Sequence, residues 1–357
     1  MVPNSALGVF LHAVGGFAAG SFYAPLTKIR VWAWESYWLM MGIAAWLVAP
    51  WIAAWLTIPN LGAVIYESID SARSAVTWAV VFGMLWGLGN LTFGMSVRFL
   101  GMALGYTMAL GFCMVFGALV PPIYYGKWGE LVGTTSGQTV LAGIGLCLAG
   151  IALCGVAGVR RERELQVGPA EDTSGEQFNV RIGFAVAVIA GVLSACFNFG
   201  LEAGATMADI AVQYGAKPIY STNAVLTAVL LGGFTTNAVS CLFLNWKNRT
   251  FCDYVRFDAR YAPNCLLSWL AGVSWFLQFF FYGMGARTLG DQFGSASWAI
   301  HMAFIVVFSN LWGIVFHEWQ GTKKATRQLV WIGILMLIAS TVVIGYGKGI
   351  IAPTSEG

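Results

Sequence analysis

Residues 83–105 read GMLWGLGNLTFGMSVRFLGMALG, and residues 272–294 read GVSWFLQFFFYGMGARTLGDQFG. At one offset of 189 the eight positions named next match without a gap. Gly83 matches Gly272, Trp86 matches Trp275, Gly94 matches Gly283 and Met95 matches Met284. Arg98 then matches Arg287, Leu100 matches Leu289, Gly101 matches Gly290 and Gly105 matches Gly294. Glycines alone would be weak evidence, because small residues recur wherever membrane helices pack closely. Trp, Met, Arg and Leu in the same register point to a duplicated unit. A weaker echo sets Gly16 and Phe22-Tyr23 beside Gly191 and Phe197-Asn198.

Both copies lie in strongly apolar sequence. Of 357 residues 58% are hydrophobic and only 10% charged, where ordinary soluble domains carry about 25% charged residues. A soluble fold of this length has too little interior for so much apolar surface. Sixteen tryptophans and 24 phenylalanines exclude a disordered chain, and a net charge of +3 without a basic tract excludes nucleic acid as a partner. The solvent for most of the chain is therefore lipid.

A helix needs about 20 apolar residues to cross a bilayer. Ten segments qualify: 5–26, 36–57, 75–97, 102–124, 138–159, 181–203, 221–245, 264–286, 292–316 and 327–347. The N-terminal run has no basic residue before it, unlike a secretory signal, and is taken as a retained first helix. Only 160–180 and 246–263 are long and polar enough to be solvated connectors. This count places fourteen basic residues on one side, among them Lys28, Arg98, Arg160, Arg161, Arg163, Lys247 and Lys323. Five remain on the other: Arg73, Lys127, Lys217, Arg287 and Lys348. By the positive-inside bias the first side is cytoplasmic and both termini face outward.

Five spans per half turn the second copy over relative to the first, so Arg98 ends its helix inside and Arg287 outside. The expected fold is an all-α integral membrane protein of ten transmembrane helices, built as two inverted five-helix repeats. Residues 1–159 form the first repeat, 160–180 a cytoplasmic linker and 181–357 the second repeat. Inverted repeats are the usual construction of secondary transporters, with the substrate held near the midplane.

Polar side chains within spans are costly and tend to face a cavity or pathway. At about 1.5 Å per residue, His12 and His301 lie roughly 10–15 Å below the outer surface. Asn90, Asn198 and Gln278 fall in the middle thirds of their spans, with Trp86, Trp275 and Trp298 near in sequence. Amides on hydroxyls and an aromatic face against an apolar ring face would suit a sugar. Interhelical bonding is the plainer role for the amides, and packing for the histidines. Trp86 and Trp275 lie too deep to be interfacial anchors. Asn223 and Asn237 lack counterparts and read as structural, and His317 as interfacial.

No acid sits at the midplane. The deepest titratable groups are the histidines, whose unperturbed pKa of about 6.5 suits a proton relay. His12 and His301 are the expected proton carriers, with Glu35 at the inner mouth of the second span as an inner-side acid. Glu35 also fits a helix N-terminal carboxylate on the dipole. Glu202 and Asp291 lie on the outer side. There is no GxSxG, and His317-Glu318-Trp319-Gln320 does not complete HExxH. The seven cysteines have no CxxC pair and read as small core residues, so neither a metal site nor a cofactor is expected. The sequon Asn248-Arg249-Thr250 falls in a loop expected to be cytoplasmic.

Specific strings resemble the bacterial L-rhamnose–proton symporters of the drug/metabolite transporter superfamily. They are Phe22-Tyr23-Ala24-Pro25, Trp32-x-Trp34-Glu35, Trp86-Gly87-x-Gly89-Asn90 and Arg98-x-Leu100-Gly101-Met102. The most specific are Trp275-x-Leu277-Gln278-Phe279-Phe280-Phe281-Tyr282 and Ser297-Trp298-x-x-His301-Met302. The likeness runs through nearly the whole chain. It implies ten spans, outward termini, the bacterial cytoplasmic (inner) membrane, and import of L-rhamnose or a related sugar with protons. The chain departs from the pattern between Tyr282 and Ser297, where it reads GMGARTLGDQFGSA and enterobacterial members carry a His and a Pro. The sixth span, through Glu202 and Asp209, is also poorly matched.

Three functions stay open on the residues alone. The first is a proton-coupled sugar importer working by alternating access. The second is a proton-independent facilitator or exporter of small metabolites, in which the histidines only bind or pack. The third is a membrane sugar sensor that moves nothing. The choice of sugar and the oligomeric state are not set by the sequence.

Overall fold

The computed structural model describes residues 4–100, 102–165, 180–290 and 295–347. Residues 166–179 of the expected linker, together with Gly101, Asp291, Gly294 and Lys348, lie outside the described residues, as does the side chain of Arg98.

The described residues are mostly helical, with no strand among them. The first half forms α1 (Ser5–Ser21), α2 (Tyr23–Leu26), α3 (Trp34–Gly42), a π-helical turn (Ile43–Val48) and α4 (Ala49–Thr57). It continues as α5 (Leu61–Ser71), α6 (Arg73–Leu100), α7 (Met102–Tyr124), α8 (Trp128–Gly133) and α9 (Thr135–Glu164). The second half forms α10 (Val180–Ala203), α11 (Ala205–Gln213), α12 (Thr222–Asn248), α13 (Tyr261–Leu289), α14 (Ser295–Val315) and α15 (Lys324–Gly347). Ten of these segments are long and apolar enough to cross a membrane, and they coincide with the ten expected spans. Large apolar side chains such as Trp55, Leu56, Tyr124 and Leu335 stand more than half exposed, as a lipid solvent allows.

The details differ from the expectation where local chemistry intervenes. The first residues of the 160–180 connector continue α9 to Glu164, with Arg161 and Arg163 in the last turn, where cations favour the helix dipole. Residues 246–248 likewise belong to α12. The short connection after α4 folds into α5, whose Val64 and Ser68 are buried. In the second span Pro50 has no N–H to offer the carbonyl of Trp46, four residues back. The helix widens there, and the N–H of Ala49 bonds the carbonyl of Ala44, five residues back.

The chain forms two compact units. One holds residues up to Gly16, Gly89–Asn198 and Gly285 onward; the other holds Phe17–Leu88 and Phe199–Met284. Their boundaries fall within α1, α6, α10 and α13, so each unit draws helices from both halves of the chain.

In the first unit α9 packs along α15. Lipid gives apolar helices no reason to prefer each other, so such contact depends on close backbone approach. A Cβ at Gly150 would stand 3.1 Å from the carbonyl oxygen of Gly333, and one at Gly333 would stand 3.1 Å from that of Gly150. Gly143 meets Ile344 and Ser340, while Gly333 meets Cys154 and Gly150. Gly8 of α1 lies against Leu289, and Gly183 of α10 against Leu100. Gly16 lies against Phe304, and Gly191 against Phe112. In the second unit Gly83 of α6 meets the carbonyl of Val229 on α12, and Gly272 of α13 meets that of Met41 on α3.

Candidate functional site

The residues expected from the sequence fall into both units. His12, Asn90, Asn198, Trp298 and His301 belong to the first; Glu35, Trp86, Trp275 and Gln278 belong to the second.

In the first unit α1 and α14 bring the two histidines together. Their ring centroids lie 5.8 Å apart at 59°, and both side chains are buried. Gly285 makes room for this pair, since a Cβ there would stand 2.9 Å from Nε2 of His12. Two buried imidazoles on different helices can exchange a proton over a short path and tie that step to helix movement.

Asn198 and Trp298 are held against α7. The Asn198 amide donates to the carbonyl of Gly117 at 3.0 Å, and the Trp298 indole N–H donates to that of Cys113 at 3.0 Å. Phe197 stacks on Trp298 at 24°, and the indole lies directly over Gly117. These bonds satisfy donors that would otherwise be costly in an apolar interior. Asn90 is half-buried, and its amide nitrogen has no acceptor among the described residues.

The second unit contains an arrangement that sequence reasoning missed. Six aromatic rings form a closed circuit: Phe22, Trp38, Trp46, Trp86, Phe279 and Trp275. Successive centroids are separated by 6.5, 6.4, 6.0, 5.5, 6.4 and, closing the circuit from Trp275 to Phe22, 4.1 Å. All six contacts are edge-to-face, five at 70° or more and Trp38–Trp46 at 67°, the orientation aromatic pairs favour. Trp275 and Gln278 lie three residues apart on one face of α13. The indole N–H groups of Trp46 and Trp275 and the amide nitrogen of Gln278 are buried without an acceptor among the described residues. The Trp38 indole instead reaches Oδ1 of Asn237 at 3.5 Å, so Asn237, read as structural, supports the circuit. A mid-span tryptophan four residues before a proline was the available signal for Trp46.

Glu35 lies in the first turn of α3 and is buried. Its Oε1 accepts from the amide of Asn248 and the hydroxyl of Thr250, both at 2.9 Å. The sequon residues are therefore engaged on this carboxylate. Around it Asn245 donates to Ser36 and Thr250, and the Tyr254 hydroxyl donates to Asn245 at 2.7 Å. Burial raises the pKa of Tyr254 above its usual range. Asp253 accepts from the N–H of Ala33, the residue before α3. The 246–263 connector is thus a cap on the mouth of α3.

Between α14 and α15, Arg161 reaches the carbonyl of Glu318 at 2.6 Å and lies over the Trp319 ring at 5.7 Å. His317 takes a positive φ in this turn. Among the described residues no group of three or more His, Cys, Asp or Glu side chains could hold a metal ion.

Comparison with known proteins gives these features a setting. A sequence model of the family described as L-rhamnose-proton symport protein matches residues 1–350. The L-rhamnose-proton symporter of Mannheimia succiniciproducens is 32% identical over 348 residues, covering 96% of this chain and 97% of its own length. The proteins of that name from Cronobacter sakazakii and Klebsiella pneumoniae are 32% and 31% identical, with the same coverage of both chains. A multi-pass helical membrane protein matched from end to end in this way belongs to the L-rhamnose-proton symport protein family.

Proposed function

We propose that this chain imports L-rhamnose, or a closely related deoxy-sugar, together with protons across the bacterial inner membrane, by alternating access and with both termini outside. The observation that carries the sugar assignment is the closed aromatic circuit with acceptorless donors on Trp275 and Gln278. A pyranose presents C–H faces to aromatic rings and hydroxyl oxygens to N–H donors. Trp86, Trp275, Gln278 and Asn90 act as binding groups. Asn198 and Trp298 act by holding α10 and α14 on α7. His12 and His301 carry the proton, and Glu35 receives it at the inner end.

Two inverted repeats, 1–159 and 181–357 joined by a linker at 160–180, supply the machinery. Paired contacts support this reading. Gly8–Leu289 has its mate in Gly183–Leu100, Gly16–Phe304 in Gly191–Phe112, and Gly83–Val229 in Gly272–Met41. The α9–α15 contact is its own mate, since Gly143 meets Ile344 as Gly333 meets Cys154. Reciprocal pairing of this kind is what a two-fold axis produces. Such an axis in the membrane plane is the basis of exchange between outward and inward states.

The test is uptake of labelled L-rhamnose by proteoliposomes with an acid exterior. Accumulation above equilibrium that a protonophore abolishes supports the proposal. Equilibration indifferent to the gradient would replace symport by facilitated diffusion, and no flux from folded protein would remove this sugar.

A further inference from the structure

Trp46 is 1% exposed, and its indole N–H has no acceptor among the described residues. Buried tryptophan N–H groups normally find a partner, and in a bilayer water cannot supply one. The placement has identifiable causes. Pro50 forces the π turn in which Trp46 sits, four residues before it. Gly42, one turn earlier, lets the indole fold back along the helix: a Cβ there would stand 2.8 Å from Cζ3 and 2.9 Å from Cε3 of Trp46. The benzo edge thus rests on Gly42, and Nε1 lies on the opposite edge of the indole. The ring itself links Trp38 to Trp86 in the aromatic circuit. π turns inside α-helices are frequent at functional sites.

We propose that Trp46 is a specificity-determining residue of the sugar site, donating its indole N–H to one hydroxyl oxygen of a bound 6-deoxyhexose. This rests on the functional reading above and adds a residue to it. The donor is fixed in place by Gly42 and the Pro50-induced turn, so the hydroxyl it reads is one position on the pyranose ring. Hydroxyl recognition of this kind discriminates well, because an analogue lacking the group leaves the buried N–H unpaired.

The experiment measures binding of L-rhamnose and its 1-, 2-, 3- and 4-deoxy analogues to the full chain in nanodiscs, for the wild type and Trp46→Phe. Loss of one hydrogen bond should weaken L-rhamnose binding by about tenfold in the variant. One analogue should bind both proteins equally, because the hydroxyl read by Trp46 is the one it lacks, while the other three lose as much as L-rhamnose. Equal losses across all five sugars, or no loss for any, would overturn the assignment of Trp46. Failure of the wild type to bind L-rhamnose would instead overturn the functional reading beneath it. If Trp46→Phe does not fold, 3-benzothienylalanine at position 46, with sulfur where the N–H stands, keeps the shape and is read against the same sugars.

Discussion

The imidazole of His12 stands 5.8 Å from that of His301, with both rings buried between α1, α14 and the backbone of Gly285. No carboxylate appears in the middle of any span, so this pair is the deepest titratable site that the sequence offers. His301→Ala should abolish accumulation of L-rhamnose against its gradient and leave sugar exchange between the two sides of a vesicle intact. Measuring net uptake and counterflow on one preparation separates the two. Equal loss of both would reduce the histidines to packing.

Glu35 should behave as the inner member of the proton path. Glu35→Gln keeps the shape at the α3 mouth and a carbonyl oxygen that can accept from Asn248 and Thr250 as Oε1 does, but it cannot be charged. Net uptake should slow several-fold and lose its dependence on internal pH, with sugar affinity unchanged. An unaltered pH profile alongside lower thermal stability would make Glu35 a clamp for the 248–254 cap and nothing more.

The α9–α15 contact predicts a graded stability response. Gly333→Val should lower the unfolding temperature strongly, because its Cβ would stand 2.6 Å from Sγ of Cys154 and 3.1 Å from the carbonyl of Gly150. Overpacking of this kind costs about 1–3 kcal/mol. Gly145→Val on the same α9, where a Cβ meets nothing within 4 Å, should cost little. Thermal unfolding in detergent followed by size-exclusion chromatography compares them directly.

Orientation can be read from a native cysteine. Cys252 is exposed on the cap of the α3 mouth, whereas Cys113, Cys147, Cys154, Cys196 and Cys241 are buried. A membrane-impermeant maleimide should label Cys252 in inside-out vesicles and not in intact cells, with Cys252→Ser as the control. Labelling from outside would place the termini in the cytoplasm.

The spans were legible because lipid imposes one demand, length with apolarity, that any window of sequence reveals. Ten expected segments correspond to ten helices for that reason. What the sequence hid depends on contacts between distant residues. The circuit from Phe22 through Trp46 to Trp275 joins three parts of the chain, and nothing in IAAWLVAP announces it except the spacing of Trp46 from Pro50. The polarity of 246–263 suggested a solvated loop, and residues 256–260 are exposed, but Asn248, Thr250, Asp253 and Tyr254 bond the start of α3 and the residue before it. Asn198 and Trp298 showed their burial cost in the sequence, yet only the structure reveals the α7 carbonyls that meet it.

Coupling of sugar to proton is the central claim, and the pH of the medium measures it most directly. L-rhamnose added to de-energised proteoliposomes in weak buffer should drive protons inward with the sugar. The account predicts a prompt rise in external pH that a protonophore abolishes and that His301→Ala lacks. Entry of labelled L-rhamnose with no change in external pH would contradict it.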